Sequence, residues 1–209
     1  MRVVLFGSTG RTGLLLAKLA VTGGHEVTAF ARDPARMTIV HSRLHVVRGD
    51  VLDAPSVDRS VRGQEGVLSA LGPPARNPPP ALSQGIRHIL DAMAAHGVQR
   101  IVCMSAAGAL REDAGFFVGN LGLRLSRLLL RGVYREHRRM LEEIQRRDAR
   151  WIVVRPVLLT NGPSTGRYRV ALEGIPRWGL RISRADVADF IIKQLTNDEY
   201  VRKMPAIAY

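Results

Sequence analysis

The amino-acid sequence predicts an α/β fold in which a parallel sheet carries helices on both faces. Three observations lead there. Apolar runs of strand length alternate with amphipathic stretches of helical length. The strand-length runs are almost wholly apolar, as strands covered on both faces are. The first of them ends in a glycine-rich turn that opens directly into a helical stretch. The 209 residues, 46% of them hydrophobic, suffice for one substantial core. No repeat, low-complexity tract or linker divides them, so a single domain over 1–209 is expected, with its C-terminal elements shaping a substrate pocket.

Taken in order, residues 3–6 read as the first strand, 14–20 as the first helix, 27–31, 44–47 and 67–71 as the next strands. Leu82, Ile86, Ile89, Leu90 and Met93 then recur at helical spacing, and Gly97 supplies a stop, so 82–96 reads as a crossover helix into a strand at 101–104. Beyond it, 116–130 and 134–147 read as helices, 151–154 as a strand and 184–195 as a last amphipathic helix. Five prolines between Gly72 and Pro80 make that stretch an irregular loop.

The turn Gly7, Ser8, Thr9, Gly10, Arg11, Thr12, Gly13 lies where a dinucleotide fold brings its backbone against a pyrophosphate. Gly7 takes the sharp turn, Gly10 leaves room for phosphate, and Gly13 lets helix and strand approach; the helix N-terminus supplies amide donors and a favourable dipole. Glycine triplets alone are weak evidence, but one placed between the first strand and first helix of an alternating chain is strong. Such a chain is a Rossmann-type domain. An NAD-preferring domain would place an acid at the end of the second strand to bind the ribose 2′-hydroxyl. Here Arg32 stands there, with Arg36 four residues on, a pair suited to the 2′-phosphate of NADP(H). Arg36 also reads as an ordinary solvated residue. After the third strand, Asp50 is placed to accept from the adenine amino group and Val51 to pack on the ring, although Asp50 equally suits a turn cap. Leu71 and Gly72 close the fourth strand above the carboxyl edge, where such sheets bind ligands.

Composition narrows the partners. Lys and Arg number 31 against 18 Asp and Glu, a net charge of +13; only Lys18, Lys193 and Lys203 are lysines, so the other 28 are arginine. The densest basic stretch, 124–150, holds a single aromatic, Tyr134, and no nucleic-acid motif, so general phosphate attraction is implied and nucleic acid is not the expected partner. Cys103 is the sole cysteine, and the six histidines lack metal-ligand spacing, so no metal is expected. Without a signal-like start or an apolar run long enough to cross a bilayer, a cytoplasmic location without a membrane partner is expected.

These residues, with Met104-Ser105-Ala106, Thr165-Gly166, Ile182-Ser183 and 195–200, resemble the atypical short-chain dehydrogenases/reductases. The resemblance runs along essentially the whole chain and is to the NAD(P)H-binding branch of biliverdin (flavin) reductases and NmrA-like proteins. It implies hydride transfer from NADPH to a flavin, a linear tetrapyrrole or a similar small planar acceptor, and it places Ser105 in the active site beside the nicotinamide. A hydroxyl there can donate to a substrate carbonyl or ring nitrogen, or it can merely satisfy backbone at a strand end. Tyr134 and Arg138 have the one-turn spacing of a tyrosine and its cation, with arginine in place of lysine. His137 lies where many relatives of the branch carry lysine, and reads as an acid near neutral pH. Both Tyr134 and His137 also fit a plain surface helix. Phe116, Phe117 and Trp178 read as apolar pocket walls. Two departures from the branch bear on the substrate: Leu158 stands where the flavin reductases carry histidine, and the stretch from Ser105 to His137 is longer. A non-catalytic NADP(H) sensor is the reading from another class, and the missing tyrosine-lysine pair disfavours an isomerase or epimerase.

Overall fold

Val3, Val4, Leu5 and Phe6 are completely buried, which puts the strand they form, β1 (Arg2–Phe6), inside the sheet. The computed structural model describes residues 1–73, 80–110, 124–125 and 128–209. After β1 come α1 (Arg11–Thr22), β2 (Glu26–Ala31), a 3-10 turn (Pro34–Arg36), β3 (Leu44–Arg48), α2 (Ala54–Val61), β4 (Gly66–Ser69), α3 (Ala81–Ala95) and β5 (Arg100–Met104). The second half holds α4 (Arg131–Gln145), β6 (Arg150–Pro156), β7 (Leu158–Thr160), β8 (Arg169–Ala171), β9 (Arg181–Ser183), α5 (Arg184–Lys193) and β10 (Ala206–Ala208).

The main sheet has the order β3-β2-β1-β4-β5-β6-β10-β8, and β7 pairs with β9 apart from it. Register runs Val3 to Phe6 against Val27 to Phe30 on one side and Gly66 to Ser69 on the other. The chain therefore reverses direction across the sheet between β1 and β4, the switch point outside which doubly wound sheets leave a crevice. α1 and α5 pack on one face, where Leu16, Ala17, Val187 and Ile191 join Leu5, Val102 and Val154. On the other, Val57, Ile86, Met140 and Ile144 of α2, α3 and α4 cover Val4, Val67 and Ile101. The expected α/β class with both faces covered is the observed fold.

Several boundaries differ from expectation. β8 runs antiparallel to β10, so the sheet is parallel except at that edge. β3 is mostly exposed, because it is the other edge, and its apolar letters do not make it a buried strand. β4 stops at Ser69, leaving Leu71 and Gly72 in the following loop. α2 was not expected: Val57 and Val61 are its only buried apolar side chains, too few to set a period, and its start is marked only by Asp53 and by Pro55 in the first turn. β7 to β10 are three residues each, below the length at which alternation can be read. The helix expected over 116–130 lies largely outside the described residues, as do Phe116, Phe117 and loop positions 74–79. Residues 124–125 and 128–129 are helical, and α4 begins at Arg131. Among the described residues no helix is long and apolar enough to cross a membrane.

Candidate active site

The carboxyl edge of β1 to β4 bounds a cleft of about 250 Å3, open to solvent. Its floor is backbone. Gly7 has φ +73, and a Cβ there would lie 2.7 Å from the Ala70 carbonyl carbon. A Cβ on Gly13 would come within 2.1 Å of the Gly7 carbonyl oxygen, so α1 can start this close to β1 only with glycine at that position. At Gly10 a Cβ would meet only the Gly7 oxygen, at 3.3 Å, and otherwise open space. Gly10 is also the N-cap of α1; no side chain caps it and the first turn contains no acid. The amides of that turn are thus left for an anion, which the helix dipole favours. This cradle, which added side-chain carbons would fill or distort, fits a dinucleotide's pyrophosphate.

Of the residues expected at a cofactor, Gly7, Thr9, Gly10, Arg32, Arg36, Asp50, Val51, Leu71 and Gly72 line the cleft. Four do not. Ser8 is fully buried and its Oγ donates to the Phe30 carbonyl at 2.9 Å, tying the turn to the end of β2. Thr12 and Gly13 are buried beneath the turn, and Arg11 is exposed at the first residue of α1. Arg32 and Arg36 are exposed, and among the described residues neither guanidinium meets a carboxylate. Asp33, the acid next to Arg32, accepts from the Ala35 amide at 3.2 Å and caps the 3-10 turn that carries Arg36. Asp50 accepts from the Leu52 amide at 3.0 Å, the turn-capping role open to it from sequence, while remaining on the cleft wall. Val51 is held from behind by His88, whose Nδ1 donates to its carbonyl at 2.8 Å.

Where β5 ends, the structure brings together two residues 32 positions apart. Ser105 is buried, its amide donating to the Val154 carbonyl at 2.8 Å, and its Oγ lies 3.2 Å from His137 Nδ1. His137 is 5% exposed, so it is not part of a surface face. Burial pulls its pKa down to about 4, against the opposing pull of Glu136. The expectation of an acid near neutral pH is corrected accordingly: the imidazole is neutral there, and one ring nitrogen is an acceptor. Tyr134 lies one turn earlier on α4, half-buried, with its ring against Gly108; a Cβ on that glycine would be 3.1 Å from the phenolic oxygen. Arg138 is exposed on α4. Trp178 is 62% exposed with φ +63, and Arg177 lies over its ring at 5.8 Å. Cys103, beneath the site, is buried and its thiol is pushed up to about 12, which leaves it inert.

Two buried carboxylates were missed from sequence. Glu136, 2% exposed, accepts from the Ser83 amide at 3.3 Å and its Oγ at 3.1 Å. It thereby caps the start of α3 from a neighbouring helix, where the N-cap, Pro80, has no side chain able to do so. Asp186 is completely buried and gathers the Thr165 and Gly166 amides, both at 2.8 Å, and the Tyr209 hydroxyl at 2.6 Å. Burial raises its pKa, but the donors from Tyr209, Gly166 and Thr165 outweigh that and hold it at about 2. A signal for Asp186 was present: Ser183 and Asp186 have capping-box spacing before an apolar run, and Ser183 Oγ does accept from the Asp186 amide at 3.0 Å. Nothing local marks the capping role of Glu136: Arg139 pairs with it one turn on, but Ser83, the residue it caps, is 53 positions away.

A doubly wound sheet with a glycine cradle at its switch point defines a dinucleotide-binding domain. Residues 7–198 match the NAD(P)H-binding family, and the chain belongs to it. The chain is 33% identical over 121 residues to cinnamoyl-CoA reductase 1 of Oryza sativa subsp. japonica. That alignment covers 53% of this chain and 36% of the plant protein, so the chain spans about a third of that relative's length. Its fold is shared with a short-chain dehydrogenase/reductase of Veillonella parvula DSM 2008 in complex with NADP (TM-score 0.84, 18% identity, 100% of this chain and 94% of that one). It is shared too with an anaerobillin reductase of Escherichia coli O157:H7 (TM-score 0.80, 20% identity, 100% and 97%).

Proposed function

We propose that the protein is an NADPH-dependent oxidoreductase of the biliverdin (flavin) reductase-like branch, acting on a planar conjugated acceptor such as a flavin or linear tetrapyrrole. The observation that carries this reading is the buried Ser105–His137 pair at the carboxyl end of β5, on the same sheet edge as the glycine cradle. When bound, NADPH supplies the hydride and the protein supplies its orientation. Arg32 and Arg36 would hold the 2′-phosphate, the first turn of α1 the pyrophosphate, and Asp50 with Val51 the adenine, since all of these border the one cleft. Ser105 faces the acceptor. In the tautomer that carries its proton on Nδ1, neutral His137 donates to Ser105 Oγ and frees the serine hydrogen for an acceptor oxygen or nitrogen. His137 is thus a positioning residue, and Tyr134, packed on Gly108, walls the same corner.

Loss of NADPH absorbance with purified protein and FMN or a linear tetrapyrrole tests the proposal. Ser105→Ala should slow the tetrapyrrole by about 10²-fold, as for a lost general acid, and FMN much less, because flavin reduction needs chiefly stacked rings. NADPH affinity should hold. NADPH binding without turnover on any acceptor would make the protein a nucleotide-binding regulator instead, and equal loss on both acceptors would make Ser105 a cofactor-positioning residue.

A further inference from the structure

The surface before and along α4 has a character the nucleotide cleft does not explain. Leu125, Leu128 and Leu129 are 56%, 61% and 57% exposed, more than half of each leucine left in water within five residues of chain. Directly after them, Arg131, Arg135 and Arg138 are exposed at intervals of four and three on α4, which places them on one stripe of the helix. Among the described residues none of the three guanidinium groups has a carboxylate partner, whereas Arg139 on the same helix pairs with Glu136, and Arg62, Arg87 and Arg147 are each paired elsewhere. A cluster of exposed leucines beside an unneutralised cationic stripe is the composition of an element lying in a bilayer interface: apolar side chains enter the acyl boundary and arginines remain among anionic headgroups.

We propose that this surface, Leu125, Leu128 and Leu129 with Arg131 and Arg135, docks the protein on an anionic lipid membrane. Nucleic acid would satisfy the arginines but offers the leucines nothing, and the one aromatic of the stretch, Tyr134, is half-buried against Gly108 and gives no platform of successive rings for stacking bases. An acidic protein would need a groove matched to the leucines, whereas a bilayer needs only depth. Spanning is not involved. Because α4 turns its arginines outward and His137 inward, docking leaves α4 between the lipid surface and the Ser105–His137 corner.

Flotation of the full chain with phosphatidylcholine vesicles, with and without phosphatidylglycerol, tests this. The protein should float only with the anionic vesicles. Arg131→Gln with Arg135→Gln should lower partitioning about 25-fold, the product of about fivefold per arginine near a charged surface. Leu128→Ser with Leu129→Ser should lower it at least about tenfold. The leucines lie outside the nucleotide cleft, so NADPH affinity should be unchanged in that variant, which verifies its fold. A second readout comes from Leu128→Cys labelled with an environment-sensitive fluorophore; native Cys103 is fully buried, so the label reports the new position. Its emission should shift to the blue on anionic vesicles. No flotation, full flotation of the leucine variant, or an unshifted label would overturn the proposal; the second would reduce the effect to bare attraction of a chain of net charge +13. Retention on duplex DNA in preference to anionic vesicles would assign the arginines to nucleic acid and overturn it equally.

Discussion

Two stretches of the sheet's carboxyl edge, separated only by β4, are built in opposite ways. After β1, where the glycine cradle lies, the chain offers backbone and empty space, and the basic groups of that cleft, Arg32 and Arg36, stand in solvent. After β5, where Ser105 meets α4, it offers polar side chains taken out of water: Ser105, Glu136 and His137 are each at most 5% exposed. The first arrangement is local, since a turn of seven residues makes it. The second is assembled from segments far apart in sequence, so each polar group there depends on the packing around it. Substitutions in the cradle should therefore separate cleanly into those that break the fold and those that block the ligand. Substitutions around α4 should couple stability to protonation.

The largest effect is expected at Gly13. Gly13→Ala puts a carbon 2.1 Å from the Gly7 oxygen, and neither element can withdraw because α1 is packed on the sheet and on α5. A loss of more than about 4 kcal/mol is expected, enough to unfold a marginally stable domain. Gly10→Val, three residues away, should leave the melting temperature nearly unchanged and abolish dinucleotide binding measured by calorimetry. If Gly13→Ala folds normally while Gly10→Val unfolds, the division of labour assigned to the two glycines is wrong.

The next effect sharpens the other region. The folded pKa of His137, about 4, lies below its unfolded value near 6.5, so between those values the unfolded chain takes up a proton that the native state refuses. The associated stability is complete above pH 6.5 and is lost as the pH falls toward 4, by about 3 kcal/mol. Denaturant titrations across that window should show the slope in the wild type and a flatter profile in His137→Gln. Identical slopes would mean that His137 is not held neutral by burial.

Asp186 has the opposite window. Its folded pKa of about 2 is below the ordinary 3.8, so its contribution, about 2 kcal/mol, is present above pH 4 and disappears as the pH falls toward 2. Asp186→Asn should cost that amount at neutral pH and converge with the wild type in acid. A constant gap at every pH would trace the loss to packing instead.

This division also explains what could be read from the sequence. The Rossmann-type class, the cradle and the positions of Arg32 and Asp50 were legible because each rests on residue types at fixed distance from an apolar strand. Expected and observed strands differ most at β4, which stops short, and at the three-residue strands from β7 to β10, where no period can form. At the second region Ser105 and His137 were each visible singly, but their contact was not, since no sequence spacing announces a 3.2 Å approach across 32 residues. The burial of His137 was hidden for a related reason. Arg135, Arg138 and Arg139 make its surroundings look like a solvated face, while Glu136 and His137 occupy the inward side of the same turn.

The smallest effect expected is also the one that tests which cofactor the cradle serves. Arg32 and Asp33 are adjacent at the end of β2, and they imply opposite preferences: a guanidinium for a 2′-phosphate, a carboxylate for a free 2′-hydroxyl. The structure separates their tasks. Asp33 accepts from Ala35 in the turn cap and does not line the cleft, whereas Arg32 lines it without a competing carboxylate among the described residues. Arg32→Ala should therefore weaken NADPH by about 1.5 kcal/mol, the value of a charge-assisted hydrogen bond at an exposed site, and leave NADH nearly unaffected. Arg36→Ala should act in the same direction and more weakly, because it reaches the cleft from the next turn. Raising the ionic strength should shrink the wild-type preference for NADPH, since an exposed guanidinium is screened, and should do little to the Arg32→Ala protein. Equal weakening of both dinucleotides would show that Arg32 shapes the cleft without reading the phosphate, and the preference would then have to come from Arg36 or be absent.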